Sequence, residues 1–233
     1  VMGLANGLIE VVECEDVKEG QLRKIPTAET RARGGPIRAI TCTNDELIMV
    51  GCALTGLSVF RFDRATTRKL IPTHTEQQAS MLTAFMESSP GEAIVASMEG
   101  TLYGAATRSD GDTVSDLEIT FRHRLEEMPL QIRPAALSYD CLTKKKGNVV
   151  VVLGILGSIT CLVPLTEAEY ALLVPLQRQI AHSAPLLPNS HRDYRNSTSN
   201  CASCIDGDLL SCVTPDQVAA TPSVAELWQL MRF

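Results

Sequence analysis

The chain has 233 residues, of which 45% are apolar, enough for one large domain or for one domain with an appendage. Its formal charge of −6 has the wrong sign for a protein that binds phosphate backbones through Lys and Arg, and its aromatic content of 4% provides few platforms for base stacking. We therefore expect little direct contact with nucleic acid.

The eight cysteines do not indicate a disulfide framework. Most of them lie in apolar, strand-like runs, as Cys42, Cys52 and Cys161 do, and we expect small buried hydrophobic side chains there. No secretory signal is recognisable, which favours a reducing cytosolic or nuclear environment. The chain begins at Val1 rather than at a methionine, so we expect it to be a fragment.

The first two thirds of the sequence are typical of antiparallel β-structure. Short apolar or alternating runs occupy residues 37–42, 46–51 and 57–62. Turn residues separate these runs, Asn44-Asp45 after the first and Thr55-Gly56 after the second. This succession predicts strands that are joined by hairpins.

A unit made of an apolar run, a turn glycine and a short β-segment occurs four times, with its glycine at Gly7, Gly56, Gly100 and Gly157. A period of roughly 50 residues with about four strands per unit is typical of β-propeller blades. The Gly-His and Trp-Asp pairs of the commonest blade type are absent, so an ordinary β-sandwich is the alternative. We predict a mainly β fold with propeller blades over residues 1–165.

The apolar stretch Val149–Leu165 is long, but Gly154, Gly157 and Pro164 interrupt it. A membrane-spanning helix needs about 20 apolar residues without such breaks. We therefore predict two core strands in this stretch and no membrane contact.

From Thr166 onward the sequence predicts helices. Thr166 and Glu169 form a capping box, and Leu172, Leu173, Leu176 and Ile180 follow at helical spacing. Pro175 is expected to kink or shorten this helix. The connection at 183–200 is rich in Pro, Ser and Asn. We assign residues 166–233 to a small helical C-terminal domain.

Two further helices are predicted in that domain. A short one begins near Asp206, whose carboxylate is expected to cap it, with Leu209 buried. The last one begins near Pro222 and has a single apolar stripe, formed by Val224, Leu227, Trp228 and Met231. We expect this stripe to face the interior.

Metal binding is the sharpest chemical alternative. Cys201 and Cys204 have a spacing that suits tetrahedral zinc, and His182 and His191 are possible further ligands. The histidines lie in or beside the Pro- and Ser-rich connection rather than on a firm hairpin, which weakens the zinc hypothesis. A redox dithiol is weaker still, because no βαβ context surrounds the pair. We predict no cofactor and no metal.

No residue pattern indicates catalysis. Asp206 and Asp208 can be interpreted as paired carboxylates or as a calcium loop, but the other oxygen ligands of such a loop are absent and helix capping is the simpler interpretation. Lys144-Lys145-Lys146 is typical of a solvated hairpin tip, with nuclear import or an RNA contact as the alternative. His123 is expected at the surface of a strand.

The C-terminal part of the chain resembles one family of scaffold proteins. The residues that carry the resemblance are Leu162-Val163-Pro164-Leu165-Thr166, Ala184-Pro185-Leu186, Tyr194-Arg195 and Ile205-Asp206-Gly207-Asp208-Leu209. The family comprises splicing factor 3b subunit 3, the large subunit of the cleavage and polyadenylation specificity factor, and the damaged-DNA-binding scaffold of a cullin ligase. The resemblance implies three β-propellers followed by a small helical domain, and this chain corresponds to the C-terminal propeller and that domain.

Within the family the sequence looks most like the splicing subunit. Nine residues, Asn196 to Cys204, separate Tyr194-Arg195 from Ile205, and we expect a longer gap in the other two branches. The ending Thr221-Pro222-x-Val224 also resembles the splicing subunit. Residues 196–200 depart from it, since an aromatic-rich stretch is expected there.

The resemblance implies a non-catalytic role in the nucleus. The splicing subunit belongs to the splicing factor 3b complex of the U2 small nuclear ribonucleoprotein (U2 snRNP), which supports branch-site recognition in pre-mRNA. The expected partners are the HEAT-repeat subunit, the small ten-kilodalton subunit, other U2 proteins and the rest of the chain's own scaffold. The polyadenylation and cullin-ligase branches are the alternatives, and a zinc-binding domain is the alternative from another class.

Overall fold

The structure is a computed structural model that describes residues 1–14, 22–31, 35–42, 47–63, 65–76, 80–108, 115–125, 127–135, 149–183, 203–207 and 210. Strands account for more than half of these residues, which confirms the prediction of a mainly β fold. In the first half of the chain the strands are β1 Met2–Gly3, β2 Leu8–Cys14, β3 Leu22–Arg31, β4 Ile37–Cys42, β5 Leu47–Cys52, β6 Gly56–Asp63, β7 Lys69–Thr75, β8 Leu82–Ser89, β9 Glu92–Ser97 and β10 Thr101–Ala106. Further along lie β11 Ser115–Asp116, β12 Glu118–Arg124, β13 Pro129–Ala135, β14 Val149–Gly154, β15 Ile159–Leu162 and helix α1 Glu167–Ser183.

The described strands form four sheets, and within each sheet most neighbours follow one another in the chain. The first sheet has the order β1-β2-β3, the second β11-β7-β6-β5-β4, the third β12-β10-β9-β8 and the fourth β13-β14-β15. Neighbouring pairs from β1–β2 through β9–β10 are antiparallel, whereas β11 runs parallel to β7. Successive antiparallel meanders of this kind are the arrangement that propeller blades have.

The central strand β5 is buried on both faces because a sheet packs against each of them. Alternate residues of a strand point to opposite faces. Met49 belongs to one apolar cluster, with Phe85 and Val95 of the third sheet. Ile48 and Val50 belong to a second cluster, which contains Ile9 and Val11 of the first sheet. The first three sheets therefore pack face to face through separate cores.

Two glycines let neighbouring sheets approach each other closely. A Cβ atom added at Gly51 of β5 would come within 2.8 Å of the Phe85 ring, closer than real Cβ contacts allow. The same is true of Gly3, which lies against Ile37 of the second sheet. Small residues at these positions let neighbouring sheets approach without a void.

The four glycines that marked the sequence repeat occupy equivalent positions in the structure. Gly7, Gly100 and Gly157 lie just before the second strand of a hairpin, and Gly56 is the first residue of such a strand. There is one such hairpin in each sheet, and all four glycines have positive φ angles between 76° and 94°. In three of the hairpins the amide of this glycine donates to the carbonyl three residues earlier. This geometry matches a tight turn closed by a left-handed residue, a conformation that glycine adopts without strain.

The chain divides into two compact units. The first contains Val1–Thr120, Leu125–Ile132 and Leu153–Ser158, and the second contains Phe121–Arg124, Arg133–Val152 and Ile159–Phe233. The predicted domain boundary between residues 165 and 166 stays a prediction. Among the described residues no helix is long and apolar enough to cross a membrane.

Helix α1, in the second unit, begins with the predicted capping box. The Thr166 hydroxyl accepts from the Glu169 amide at 3.3 Å, and Glu169 Oε2 accepts in return from the Thr166 amide at 2.7 Å. Leu173 and Leu176 are buried, whereas Leu172 is partly exposed. Pro175 does not shorten the helix, which continues to Ser183 with Pro175 inside it.

Two predictions about buried strand residues were wrong. Cys42 and Cys161 are exposed, and only Cys52 of the three cysteines is a buried hydrophobic residue. Cys42 and Cys161 lie on β4 and β15, which are edge strands of their sheets, whereas Cys52 lies on a central strand. For the same reason β15 is a surface strand, so Val149–Leu165 contributes one core strand rather than two.

Candidate protein-interaction surface

The motif that carried the family resemblance is tied to helix α1. Asp206 is buried, and its amide donates to the side-chain oxygen of Gln177 at 2.6 Å. The amide of Leu210 donates to the Asp206 carbonyl at 3.2 Å, which is the first hydrogen bond of a helical turn. The predicted carboxylate cap stays a prediction, and sequence reasoning did not identify Gln177.

Several predicted site residues lie outside the described part of the chain. They are Tyr194, Arg195, Asp208, Leu209, the helix stripe Val224, Leu227, Trp228 and Met231, and the metal candidates His191 and Cys201. His182 lies near the end of α1, and Cys204 is half-buried. Among the described residues no group of three or more His, Cys, Asp or Glu side chains is placed to hold a metal ion.

The tips of the repeated hairpins carry exposed apolar side chains. Leu54 is 53% exposed in the second sheet, Met98 is 49% exposed in the third, and Leu156 is 86% exposed in the fourth. Leu4 of the first hairpin is partly exposed as well. Turn residues are usually polar, because they need solvation and tight backbone conformations. The requirements of the turn therefore do not explain why every tip carries an apolar residue.

A network of hydrogen bonds around Glu76 holds the second hairpin. Glu76 follows β7, and its Oε2 accepts from the Leu57 amide at 3.0 Å and from the Tyr103 hydroxyl at 2.7 Å. The Ser80 hydroxyl donates to Oε1 at 3.0 Å and lies 2.8 Å from the Tyr103 hydroxyl. Leu57 and Tyr103 belong to different sheets, so the carboxylate links one hairpin to the next sheet.

Gly56 is required beside this network for two reasons. Its φ angle of 76° is strained for any other residue, and a Cβ atom there would collide with the Glu76 carboxylate. The absence of a side chain at Gly56 thus lets the Glu76 carboxylate reach the Leu57 amide.

Glu127 has a similar role at the fourth hairpin. Its Oε1 accepts from the Ser158 amide at 3.0 Å, and its Oε2 accepts from the Leu156 amide. A hydrogen bond from the Ser158 side chain lowers the pKa of Glu127 below its ordinary value, and the two amide contacts lower it further. Glu127 is therefore ionised at neutral pH.

Backbone hydrogen bonds join the tips of the third and fourth hairpins to the neighbouring connectors. The Met98 amide donates to the Met81 carbonyl at 2.7 Å, and the Leu125 amide donates to the Gly100 carbonyl at 2.6 Å. The Ile155 amide donates to the Met128 carbonyl at 3.0 Å. We define the hairpin face by the tips Ala53–Gly56, Met98–Gly100 and Ile155–Gly157 together with Glu76, Ser80, Met81, Leu125, Glu127 and Met128, all of which belong to the first unit.

The charges of the hairpin face all have one sign. Its charged residues are Glu76, Glu99 and Glu127, and these described positions include no Lys, Arg or His. Glu99 is exposed between Met98 and Gly100. The face therefore combines exposed apolar tips with negative charge, a combination that suits protein contacts and opposes contact with phosphate backbones.

Comparison with protein families identifies the fold. The family described as the CPSF A subunit region matches residues 11–214, which is more than half of the chain. The chain belongs to this family. The CPSF A subunit family is a β-propeller family of scaffold type, shared by the large subunit of the cleavage and polyadenylation specificity factor, splicing factor 3b subunit 3 and the damaged-DNA-binding scaffold. A search of curated proteins found no match.

Membership of the CPSF A family explains the repeated sheets as propeller blades. The described β11 is an addition to the simple meander, because it pairs in parallel with β7 of the second sheet. The hairpin face could have been suspected from the sequence, since Leu4, Leu54, Met98 and Leu156 each lie one to three residues before a repeat glycine. The hydrogen bonds that hold these tips could not have been suspected, because Glu76 and Glu127 lie 19 and 29 residues from their partners Leu57 and Leu156.

Proposed function

We propose that this chain is part of a non-catalytic propeller scaffold of the splicing factor 3b subunit 3 type. In this role it supports pre-mRNA splicing and branch-site recognition within the U2 snRNP, in the nucleus, through protein contacts. Membership of the CPSF A family is the observation that carries the scaffold function. The nine-residue gap between Tyr194-Arg195 and Ile205 favours the splicing branch over the other two.

The described carboxylates support a structural rather than a catalytic role. Glu76 and Glu127 are occupied by donors that hold hairpins in place. Asp63 caps a turn, where the Thr66 amide first and then the Thr67 hydroxyl lower its pKa. Burial raises the pKa of Glu87, and it does the same for the thiol of Cys52. Each of these effects has a cause in the packing of strands and turns.

The proposed partners are proteins. They are the HEAT-repeat subunit and the small ten-kilodalton subunit of splicing factor 3b, other U2 proteins and the remainder of the chain's own scaffold. Rigid propellers bind several partners through loops that the strands hold in place. The net charge of −6 and the acidic hairpin face agree with protein partners rather than nucleic acid.

The test is affinity purification of the tagged chain from nuclear extract, followed by mass spectrometry. Recovery of a HEAT-repeat splicing subunit together with U2 proteins supports the proposal. Recovery of a polyadenylation endonuclease or of a cullin instead would keep the scaffold function and assign the chain to another branch. Gly56→Val, which forces a side chain into the Glu76 carboxylate, provides a control bait with a disrupted second hairpin.

A further inference from the structure

We propose that Thr67, in the exposed turn between β6 and β7, is a phosphorylation site for a protein kinase that selects basic substrates, and that the phosphate opens this turn. The turn lies at the end of β6 opposite to Gly56 and is therefore separate from the hairpin face. The inference goes beyond the proposed scaffold function and does not depend on it.

The turn is accessible along its whole described length. Asp63, the last residue of β6, pairs with Lys69, the first residue of β7. The described residues between them, 65–68, are all exposed, and Lys69 is exposed as well. The core begins only at Leu70, which is buried. A kinase can therefore reach the Thr67 hydroxyl without disturbing the apolar packing of the sheet.

One carboxylate holds the turn closed. Asp63 Oδ1 accepts from the Thr66 amide at 3.0 Å, and Asp63 Oδ2 accepts from the Thr67 amide at 3.1 Å. The Thr67 hydroxyl donates to the same Oδ2 at 2.9 Å. Asp side chains commonly stabilise turns by accepting from amides a few residues further on. The hydroxyl that would receive the phosphate is thus also one of the donors that close the turn.

Local opening of this turn requires little. Among the described residues other than glycine, Arg68 alone has a positive φ angle, 51°, a conformation that strains a residue with a side chain. The hydrogen bonds to Asp63 are exposed, so water can replace them when the turn opens. An opened turn offers Thr67 in the extended form that a substrate groove can bind.

The sequence around Thr67 is strongly basic, although the whole chain has a formal charge of −6. Asp63 is the only acidic residue in the segment 61–69, and four of its nine residues are basic: Arg61, Arg64, Arg68 and Lys69. Arg64 stands three positions before Thr67. A kinase with an acidic substrate groove attracts such a segment and gains specificity from its arginines.

The turn between β8 and β9 has hydroxyls but the opposite charge. Ser89 donates to Glu92 Oε2 at 2.6 Å, and Glu87 stands two positions before it. Residues 82–92 contain no Lys or Arg. An acidic groove is repelled by this segment, so Ser89 provides an internal control for a kinase that selects basic substrates.

Phosphorylation removes a donor from the turn and adds a negative charge. Thr67 Oγ1 attacks the γ-phosphorus of a nucleoside triphosphate that the kinase holds; the bond from this phosphorus to the bridging oxygen breaks, the diphosphate leaves, and the hydroxyl proton passes to a base of the kinase. The product cannot donate to Asp63, and its phosphate of about −1.5 to −2 charges lies beside that carboxylate. Repulsion between the two groups opens the turn.

The test uses the full 233-residue chain, ATP with a labelled γ-phosphate and two purified kinases. One kinase selects Arg three positions before the acceptor, and the other selects acidic residues. Mass spectrometry locates the phosphate. We expect the first kinase to label Thr67 at least ~10-fold faster than Ser89, and the second to leave Thr67 unlabelled. The tagged chain recovered from nuclear extract with phosphatase inhibitors should also carry phosphate on Thr67.

Four variants locate the site. Thr67→Ala and Arg64→Gln should each lower the labelling rate at least ~10-fold, because they remove the acceptor and a basic recognition residue. Thr67→Ser keeps the hydroxyl and should label within about 2-fold of the original rate, which separates loss of the acceptor from a change in the fold. Thr66→Ala, the matched control, should change the rate less than about 2-fold, since the neighbouring acceptor is kept.

Hydrogen exchange measures whether the phosphate opens the turn. The amides of Thr66 and Thr67 should exchange at least ~10-fold faster after phosphorylation, because their acceptor Asp63 is repelled. The amides of Leu57 and Val59 in the buried part of β6 should be unaffected. In Asp63→Asn, which removes the repulsion, phosphorylation should accelerate exchange less than about 2-fold.

Several results would overturn the proposal. Equal labelling of Thr67 and Ser89 by the first kinase would exclude selection by charge, and labelling of Thr66 in place of Thr67 would exclude the site. No labelling of the purified chain, or no phosphate on Thr67 in the chain from extract, would do the same. Unchanged exchange of the Thr66 and Thr67 amides in the phosphorylated chain would exclude opening of the turn. None of these results bears on the proposed function, because none measures the recovery of protein partners.

Discussion

Replacing Tyr103 by Phe should lower the free energy of unfolding by about 1.5 kcal/mol, because it removes a hydroxyl that donates to the Glu76 carboxylate. Hydrogen bonds to charged groups contribute about 1.5–3 kcal/mol, and we take the low end since Glu76 is only half-buried. For a chain of this size the melting temperature should fall by about 3–6 °C. The ring itself stays in place, so the substitution leaves the apolar packing of Tyr103 intact.

A double-mutant cycle isolates the Tyr103–Glu76 interaction. Glu76→Gln keeps the size of the side chain but places an amide nitrogen, a donor, among the donors from Leu57, Ser80 and Tyr103. Urea denaturation of the two single variants and the double variant should give a coupling energy of about 1–2 kcal/mol, as expected for contacting residues in one network. A coupling below about 0.3 kcal/mol would refute the account of Glu76 as a link between blades.

An exposed pair provides the control for this cycle. Ser89 donates to Glu92 Oε2 at 2.6 Å at the surface of the third sheet. Water replaces such a bond readily, so the cycle of Ser89→Ala with Glu92→Gln should give a coupling of less than about 0.5 kcal/mol. Equal coupling energies in the two cycles would mean that burial and the link between blades do not strengthen the Tyr103–Glu76 hydrogen bond.

The other predictions concern the hairpins and the helical tail. Gly157→Ala should lower the free energy of unfolding by about 1–2 kcal/mol, because its φ angle of 94° strains the new residue even though open space surrounds it. Gly56→Ala should lower it more, since the added Cβ atom also collides with the Glu76 carboxylate. Calorimetry compares the two variants, and equal losses of stability would contradict the collision. Because the pKa of Glu127 is lowered in the folded state, its stabilisation is present above its ordinary value of 4.5 and is lost as the pH falls through the lowered pKa. Glu127→Gln should therefore flatten the loss of stability below pH 4.5 in urea titrations, and an unchanged slope would contradict this reasoning. Asp206→Ala should cost about 0.5–2 kcal/mol of stability, and lost partner binding at unchanged stability would show a contact role instead.

Features set by neighbouring residues could be predicted from the sequence. The four repeat glycines marked hairpins correctly, because a left-handed turn between two apolar strands is a local requirement. The capping box at Thr166 and Glu169 was recognisable for the same reason, since its partners are three residues apart.

Features set by the position of a strand in its sheet could not be predicted. Cys42 and Cys161 stand in runs as apolar as the one around Cys52, yet they lie on edge strands and are exposed. The contacts of Glu76 and Glu127 join residues 19 to 31 positions apart, and no periodicity in the sequence indicates such pairs. The apolar tips could therefore be suspected from the sequence, whereas the carboxylates that hold the hairpins could not.

The most direct test of the scaffold account is photo-crosslinking from the hairpin face in nuclear extract. A photoreactive amino acid replaces Met98 in one variant and Ile119 in the other, and mass spectrometry identifies the adducts. The account predicts an adduct at position 98 with a subunit of an RNA-processing complex and no such adduct at position 119. Identical adducts at both positions, or adducts at position 98 only with the chain itself, would contradict it.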